Sequence, residues 1–245
     1  MDPLSVLLDI PAAEQKERGV EYTPQEIAQQ PSTWTGTFHN LKGRLEDSRA
    51  FLSRARVDDT SERRPTVFLI GAGTSDYIGQ SLHLLLRGLW QCEVFPVAST
   101  SLLTNLPEYV LQDKRYLWVS FSRSGDSPEG VAVLQRALAE YPRISHVLVT
   151  CNAGGGMSRA VEGRANCISL VLDDAVNDRG LAMTSSFTNM VLAGQMMAHV
   201  WSLDEYESIL HALVAAAEQL IPRAAALAFE LAQGGYKRAC FVGSG

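Results

Sequence analysis

The chain is poor in cysteine, in clustered positive charge and in long unbroken apolar runs. Its four cysteines, Cys92, Cys151, Cys167 and Cys240, form no Cys-x-x-Cys pair. Neither a zinc ribbon nor a thioredoxin-like motif is indicated, and no metal site is expected. Each cysteine lies in or beside an apolar, strand-like stretch, which predicts small buried hydrophobes in a reducing compartment. The net charge is −6, with no dense Lys/Arg patch, and this argues against a nucleic-acid partner. It does not argue against an anionic ligand, because backbone amides and a helix end hold phosphate without net basic charge. The opening Met1-Asp-Pro-Leu-Ser5 lacks the basic stretch of a signal peptide, and no apolar run reads as membrane-spanning. These absences point to a soluble, cytoplasmic protein with no membrane partner.

What is present suits a globular chain of 245 residues, 46% hydrophobic and 20% charged. Residues 1–60 read as a helical segment. Thr23-Pro-Gln-Glu26 has the spacing of a capping box, with proline at the first helical position, and Pro31 should end that short helix. A longer helix is predicted from Ser32 to Val57, with Trp34, Phe38, Leu41, Leu45 and Leu52 on its apolar side. Asp58–Pro65 reads as a solvated loop.

Five short apolar runs follow: Thr66–Ile70, Glu93–Val97, Tyr116–Phe121, His146–Thr150 and Cys167–Leu172. Pro96 marks the second as an edge strand or strand end. The other four lack polar alternation, the mark of strands covered on both faces. Helical periodicity separates them over Asp76–Trp90 and Pro128–Glu140. The pattern predicts an α/β, doubly wound, parallel five-stranded sheet spanning 61–203. After it come an apolar helix around Phe187–Trp201 and a helical extension over 204–235, which Pro222 should kink or divide. The closing stretch 236–245, ending Cys240-Phe-Val-Gly-Ser-Gly245, reads as the first strand and loop of a second domain cut short.

Ligands of such sheets sit beyond the carboxyl ends of the strands, so the loops there carry the chemistry. Gly71-Ala-Gly-Thr-Ser75 follows a buried strand and opens a helix. Thr74 and Ser75 suit a phosphate seat, with Gly71 and Gly73 allowing close approach, or Ser75 is a helix cap. A dinucleotide fingerprint is not met, because Asp76 holds the place of its third glycine, and no Gly-Lys-Ser/Thr follows for a P-loop. Ser122-Arg-Ser-Gly-Asp-Ser127, then Pro128, gathers Ser122, Ser124 and Ser127 hydroxyls with Arg123 at a helix start. That set exceeds the needs of a turn and favours phosphate binding, with Ser127 at the N-cap. Asn152, in Cys151-Asn-Ala-Gly-Gly-Gly156, either bonds a sugar hydroxyl or simply turns the chain. Thr184, Ser185 and Ser186 cap the following helix, line the pocket, or both, and Asp178 with Arg179 reads as a local ion pair. The histidines, His39, His83, His146, His199 and His211, form no catalytic set. Glu129 is the best resident acid but has an ordinary place in a first helical turn.

The stretches "LIGAGTSDYIG", "VSFSRSGDSPEGVA" and "DRGLAMTSSFTNM", with "VTCN" and "YTPQEIAQQPSTW", resemble the SIS (sugar isomerase) family. Within it they are most similar to the galactosamine-6-phosphate deaminase/isomerases, once described as tagatose-6-phosphate ketose/aldose isomerases. The resemblance implies sugar-phosphate contacts by Ser75, Ser122, Ser124 and Ser127, with Thr74 and Arg123 in support and Ser185 closing the pocket. It implies neither cofactor nor metal, and it implies a homodimer. It also implies tandem domains, with Gly243 and Gly245 matching Gly71 and Gly73, and with the proton-moving carboxylate and histidine beyond this chain. The expected function is the phosphosugar-binding half of an amino-sugar or ketose 6-phosphate deaminase/isomerase. The alternative is a non-catalytic phosphosugar sensor.

Overall fold

A computed structural model describes residues 2–60 and 63–242. Five parallel strands, β1 (Thr66–Gly71), β2 (Val94–Ala98), β3 (Tyr116–Ser122), β4 (Ser145–Thr150) and β5 (Cys167–Val171), lie in the order β2-β1-β3-β4-β5. Pro96 sits on the edge strand β2, where no second neighbour needs its missing N–H. β1 and β3 are buried along nearly their whole length. Odd-numbered side chains of the inner strands, such as Val67, Leu69, Leu117, Val119 and Val147, enter one core cluster. Even-numbered Phe68, Ile70, Tyr116 and Trp118 enter another on the opposite face. This is the strand's alternation of faces with both faces covered.

Helices α6 (Thr74–Trp90) and α10 (Ser185–Ala198) cover the first face, and α4 (Gln30–Lys42) packs on α10. On the second face lie α7 (Ser99–Tyr109), α8 (Pro128–Glu140) and α9 (Gly156–Val161). The remaining helices are α1 (Pro3–Leu8), α2 (Ala12–Glu17), α3 (Thr23–Ala28), α5 (Leu45–Arg54) and α11 (Leu203–Gln233).

Several expectations need correction. Thr23 is the first residue of α3 rather than its cap, and Glu26 does not close a capping box. Its carboxylate is turned instead to the amides of Arg179 and Gly180. The short helix does end ahead of Pro31, at Ala28, but Pro31 lies in the first turn of a new helix, α4, where its missing N–H costs nothing. The single helix expected over 32–57 is two. Gly43 is a poor helix former, and Arg44 leaves helical geometry to donate to the Ser169 carbonyl of β5 at 2.6 Å. Pro222 does not divide α11, which is continuous over 31 residues. It lies on an exposed face, where the Glu218 carbonyl freed by the ring is open to solvent.

α11 also overturns the absence of a membrane-length helix, because by length and composition it could cross a bilayer. Its first turns are seated in the core through Leu203, Tyr206 and Leu210, whereas Leu213, Leu220, Leu227, Phe229 and Leu231 are exposed. Cys92 and Cys151 are buried as expected, Cys167 is half-buried and Cys240 is exposed. Residues 236–242 have no regular structure, and Phe241 and Val242 are exposed, so the strand expected there is not formed. A strand needs a partner's hydrogen-bond ladder, and among the described residues none pairs with this stretch. The expectations for Gly243 and Gly245, and for the loop at residues 61 and 62, fall outside the described residues.

Candidate phosphate-binding site

The loops after β1, β3 and β4 and the segment before α10 meet at the carboxyl edge of the sheet. Gly71 ends β1, and a methyl group there would lie 2.3 Å from the backbone of Ser75. Only glycine lets the strand turn so tightly into α6. Gly73, at φ +55, takes the N-cap position, so Ser75 is not the cap. Ser75 is buried and its Oγ points to Met183 Sδ at 3.8 Å. Thr74 is the first residue of α6 and is exposed.

The Ser122–Ser127 loop is braced from within and from beside. Gly125, at φ +64, donates its N–H to Ser122 Oγ at 3.1 Å. Ser124 Oγ accepts from the amide of Asp126 at 3.2 Å and stays exposed. Ser127 occupies the N-cap position of α8, yet no side chain bonds the helix amides there. The first amides of α8 are therefore left for solvent or ligand, at the positive end of the helix dipole. Pro128 follows at the first helical position, as expected. Arg123 is half-buried and donates from Nη1 to the Gly180 carbonyl at 3.1 Å, which ties this loop to the segment before α10.

Asn152 is a brace for the serine loop. Its Nδ2 donates to Ser124 O at 2.8 Å, and its Oδ1 accepts from the amide of Gly154 at 2.9 Å. Asp126 completes the joint by accepting from the amide of Gly156 at 2.6 Å. Gly155 is packed so closely that a methyl group would lie 2.7 Å from Ser124 O. Cys151, beneath this loop, has its thiol pushed up to about 12 by burial and then by the Asp178 carboxylate. That thiol is not a nucleophile at neutral pH.

The segment before α10 is held by two carboxylates that sequence reasoning missed. Asp178 forms no ion pair with Arg179 among the described residues. It is buried and accepts from the amides of Thr184 and Ser186, each at 2.8 Å, and from the Ser186 hydroxyl at 2.6 Å. It therefore caps α10 from a distance. Arg179 instead lies over the Tyr22 ring at 4.8 Å. Glu26 reaches across from α3 to the amides of Arg179 and Gly180, at 2.6 and 3.0 Å. The only signal for either carboxylate was an acid upstream of an apolar helix. Thr184 is half-buried beside Asp178, its Oγ1 donating to Oδ1 at 3.3 Å. Ser185, expected to close the pocket, is fully buried and donates to Glu26 O at 2.6 Å.

The structure thus gathers Ser75, Ser122, Arg123, Ser124 and Ser127 at one edge, with Asn152 as their brace. Glu129 lies beside them in the first turn of α8, whereas the histidines lie in α4, α6, β4 and α11 and at the end of α10. His146 is buried in β4, edge-on to Trp118. Among the described residues no His, Cys, Asp and Glu group fits a metal ion.

No protein-family model matches the chain. A Streptomyces coelicolor protein provisionally named D-galactosamine-6-phosphate deaminase AgaS is 36% identical over 228 residues, covering 91% of this chain and 57% of that protein. A Clostridium novyi structure, provisionally named a tagatose-6-phosphate ketose/aldose isomerase, has a TM-score of 0.74 at 29% identity, covering 83% of this chain and 50% of that one. The Escherichia coli tagatose-6-phosphate ketose/aldose isomerase structure has a TM-score of 0.70 at 28% identity, covering 80% of this chain and 53% of that one. The chain spans little more than half the length of these relatives. By sequence the chain is a homologue of proteins named as galactosamine-6-phosphate deaminases, and its fold is that of the SIS-type phosphosugar isomerases.

Proposed function

We propose that this chain binds the phosphate of an amino-sugar or ketose 6-phosphate, as the phosphosugar-binding half of a deaminase/isomerase. One observation carries the reading. The serine loop presents Ser124 to solvent at an α8 N-terminus that no side chain caps. A phosphate seated there receives hydroxyl donors and helix amides, each charge-assisted bond being shorter and stronger than a neutral one. Arg123, held to Gly180, adds positive charge while coupling phosphate binding to the segment before α10.

The chemistry of such a reaction needs a base that moves a proton between neighbouring carbons and an acid for ring opening. Ser75, Ser122, Ser124 and Ser127 are poor at both, and Cys151 is held as a thiol. The role proposed for these residues is to bind and orient. Phosphate binding remote from the reacting carbons supplies the energy that positions them. Proton transfer would then fall to groups outside this site. Titrating the chain and its Ser124→Ala variant with D-galactosamine 6-phosphate tests the reading. The expected result is binding that weakens about tenfold or more on loss of a charge-assisted bond. Equal affinity in the two proteins overturns it.

A further inference from the structure

Beneath the serine loop, on the α7–α8 side of the sheet, is a small cavity with about 10 Å³ for the centre of a water molecule. That is the space of one water. Its wall includes Ser99, Trp118, Ser120, Ser122 and Ser127. Two of these carry buried polar atoms with no hydrogen-bond partner among the described residues, Ser99 Oγ and Trp118 Nε1. Trp118 and Ser120 are two apart on β3 and so share the face on which the cavity lies. Ser99 enters from the first turn of α7, beyond the end of β2. Ser127 belongs to both sides of the problem. Its hydroxyl makes no cap bond, and a methyl group at Gly130 would lie 2.5 Å from its Oγ. The hydroxyl therefore lies back over the first turn of α8, toward the cavity.

A buried polar atom without a partner costs the desolvation of that group, so native proteins rarely leave one. Two such atoms on the wall of a one-water cavity, with hydroxyls around them, meet the requirement of two to four polar partners for a buried water. We propose that Ser99, Trp118 and Ser120 hold a single structural water under the serine loop, and that this water sets the rotamer of Ser127. Trp118 Nε1 donates to the water, and the three hydroxyls exchange donor and acceptor roles around it. Ser99 is thus a positioning residue for the phosphate loop, supplied by a fourth strand end. The water site stands on the cavity and its unpartnered atoms. Its effect on ligand affinity rests on the phosphate reading above.

A crystal structure of the full chain at high resolution tests the site directly, together with one of Ser99→Ala. The expected result is one ordered water within hydrogen-bond distance of Ser99 Oγ and Trp118 Nε1. In Ser99→Ala the water weakens or leaves and Ser127 changes rotamer. D-galactosamine 6-phosphate should bind Ser99→Ala about tenfold more weakly, as for one lost hydrogen bond, and the melting temperature should fall by a few degrees because Trp118 Nε1 loses its partner. A wild-type cavity without water density overturns the site. Unchanged Ser127 geometry and affinity in Ser99→Ala overturns the positioning role. If the wild-type chain binds no sugar phosphate, the phosphate reading fails, and density and the Ser127 rotamer alone decide this inference.

Discussion

His146 should make the fold acid-labile over a defined range. Its imidazole is 1% exposed on β4, edge-on to Trp118 at a ring distance of 5.5 Å, and neither nitrogen has a hydrogen-bond partner. Burial, with a smaller contribution from the Arg164 guanidinium, pushes its pKa from 6.5 down to about 3. The sign follows from proton counting. Between those two values the unfolded chain binds a proton at this residue and the folded chain does not. Stability is therefore full above pH 6.5, falls as pH drops toward 3, and levels below it. The slope is about 1.4 kcal/mol per pH unit, so roughly 2 kcal/mol is lost by pH 5 and about 5 kcal/mol by pH 3. Urea unfolding of wild type and His146→Leu at pH 7, 6, 5 and 4 isolates the effect, because carboxylates common to both proteins cancel in the difference. The variant should lose its deficit, or gain an advantage, by about 2 kcal/mol on going from pH 7 to pH 5. A difference that does not change with pH refutes the buried, neutral histidine.

Other consequences follow from the braces of the site. Asp178→Ala removes a carboxylate that accepts from two amides and a hydroxyl at 2.6–2.8 Å. It should cost about 3 kcal/mol in chemical denaturation, because the α10 amides are left buried and unpaired. Gly155→Ala places a methyl group 2.7 Å from Ser124 O, and it should weaken sugar-phosphate binding in a titration more than it lowers the melting temperature. Asn152→Ala frees Ser124 O from its 2.8 Å bond. Hydrogen exchange of the amides at 125 and 126 should then quicken, and phosphate affinity should fall severalfold.

The sheet was legible because its signal is local. β1, β3 and β4 are short apolar runs without alternation, and their observed limits lie within a residue of the sequence reading. The edge position of β2 followed from Pro96. What escaped depends on contacts distant in sequence or on mixed local signals. α7 was hidden by its polar opening, by Pro107 and by Asn105, which departs from helical geometry at φ −128. α9 starts among glycines and is only 6 residues long. The break between α4 and α5 depends on Arg44 reaching Ser169, 125 residues away. Within the site, the serine loop announced itself by composition. Asp178 and Glu26 did not, because an adjacent charge suggested an ion pair at Asp178 and the Thr-x-x-Glu spacing suggested a capping box at Glu26. Ser185 was expected at the pocket both from its hydroxyl and from the resemblance, and here it is fully buried and donates to the Glu26 carbonyl.

The most direct measurement of the central claim compares D-galactosamine 6-phosphate with D-galactosamine by isothermal titration against the wild-type chain. If the serine loop and the α8 N-terminus seat a phosphate, the phosphorylated sugar binds, its affinity falls as salt rises, and the free sugar binds at least a hundredfold more weakly, as for loss of about 3 kcal/mol of charge-assisted contacts. Equal affinity for the two sugars, or no binding of the phosphorylated one, would contradict the account.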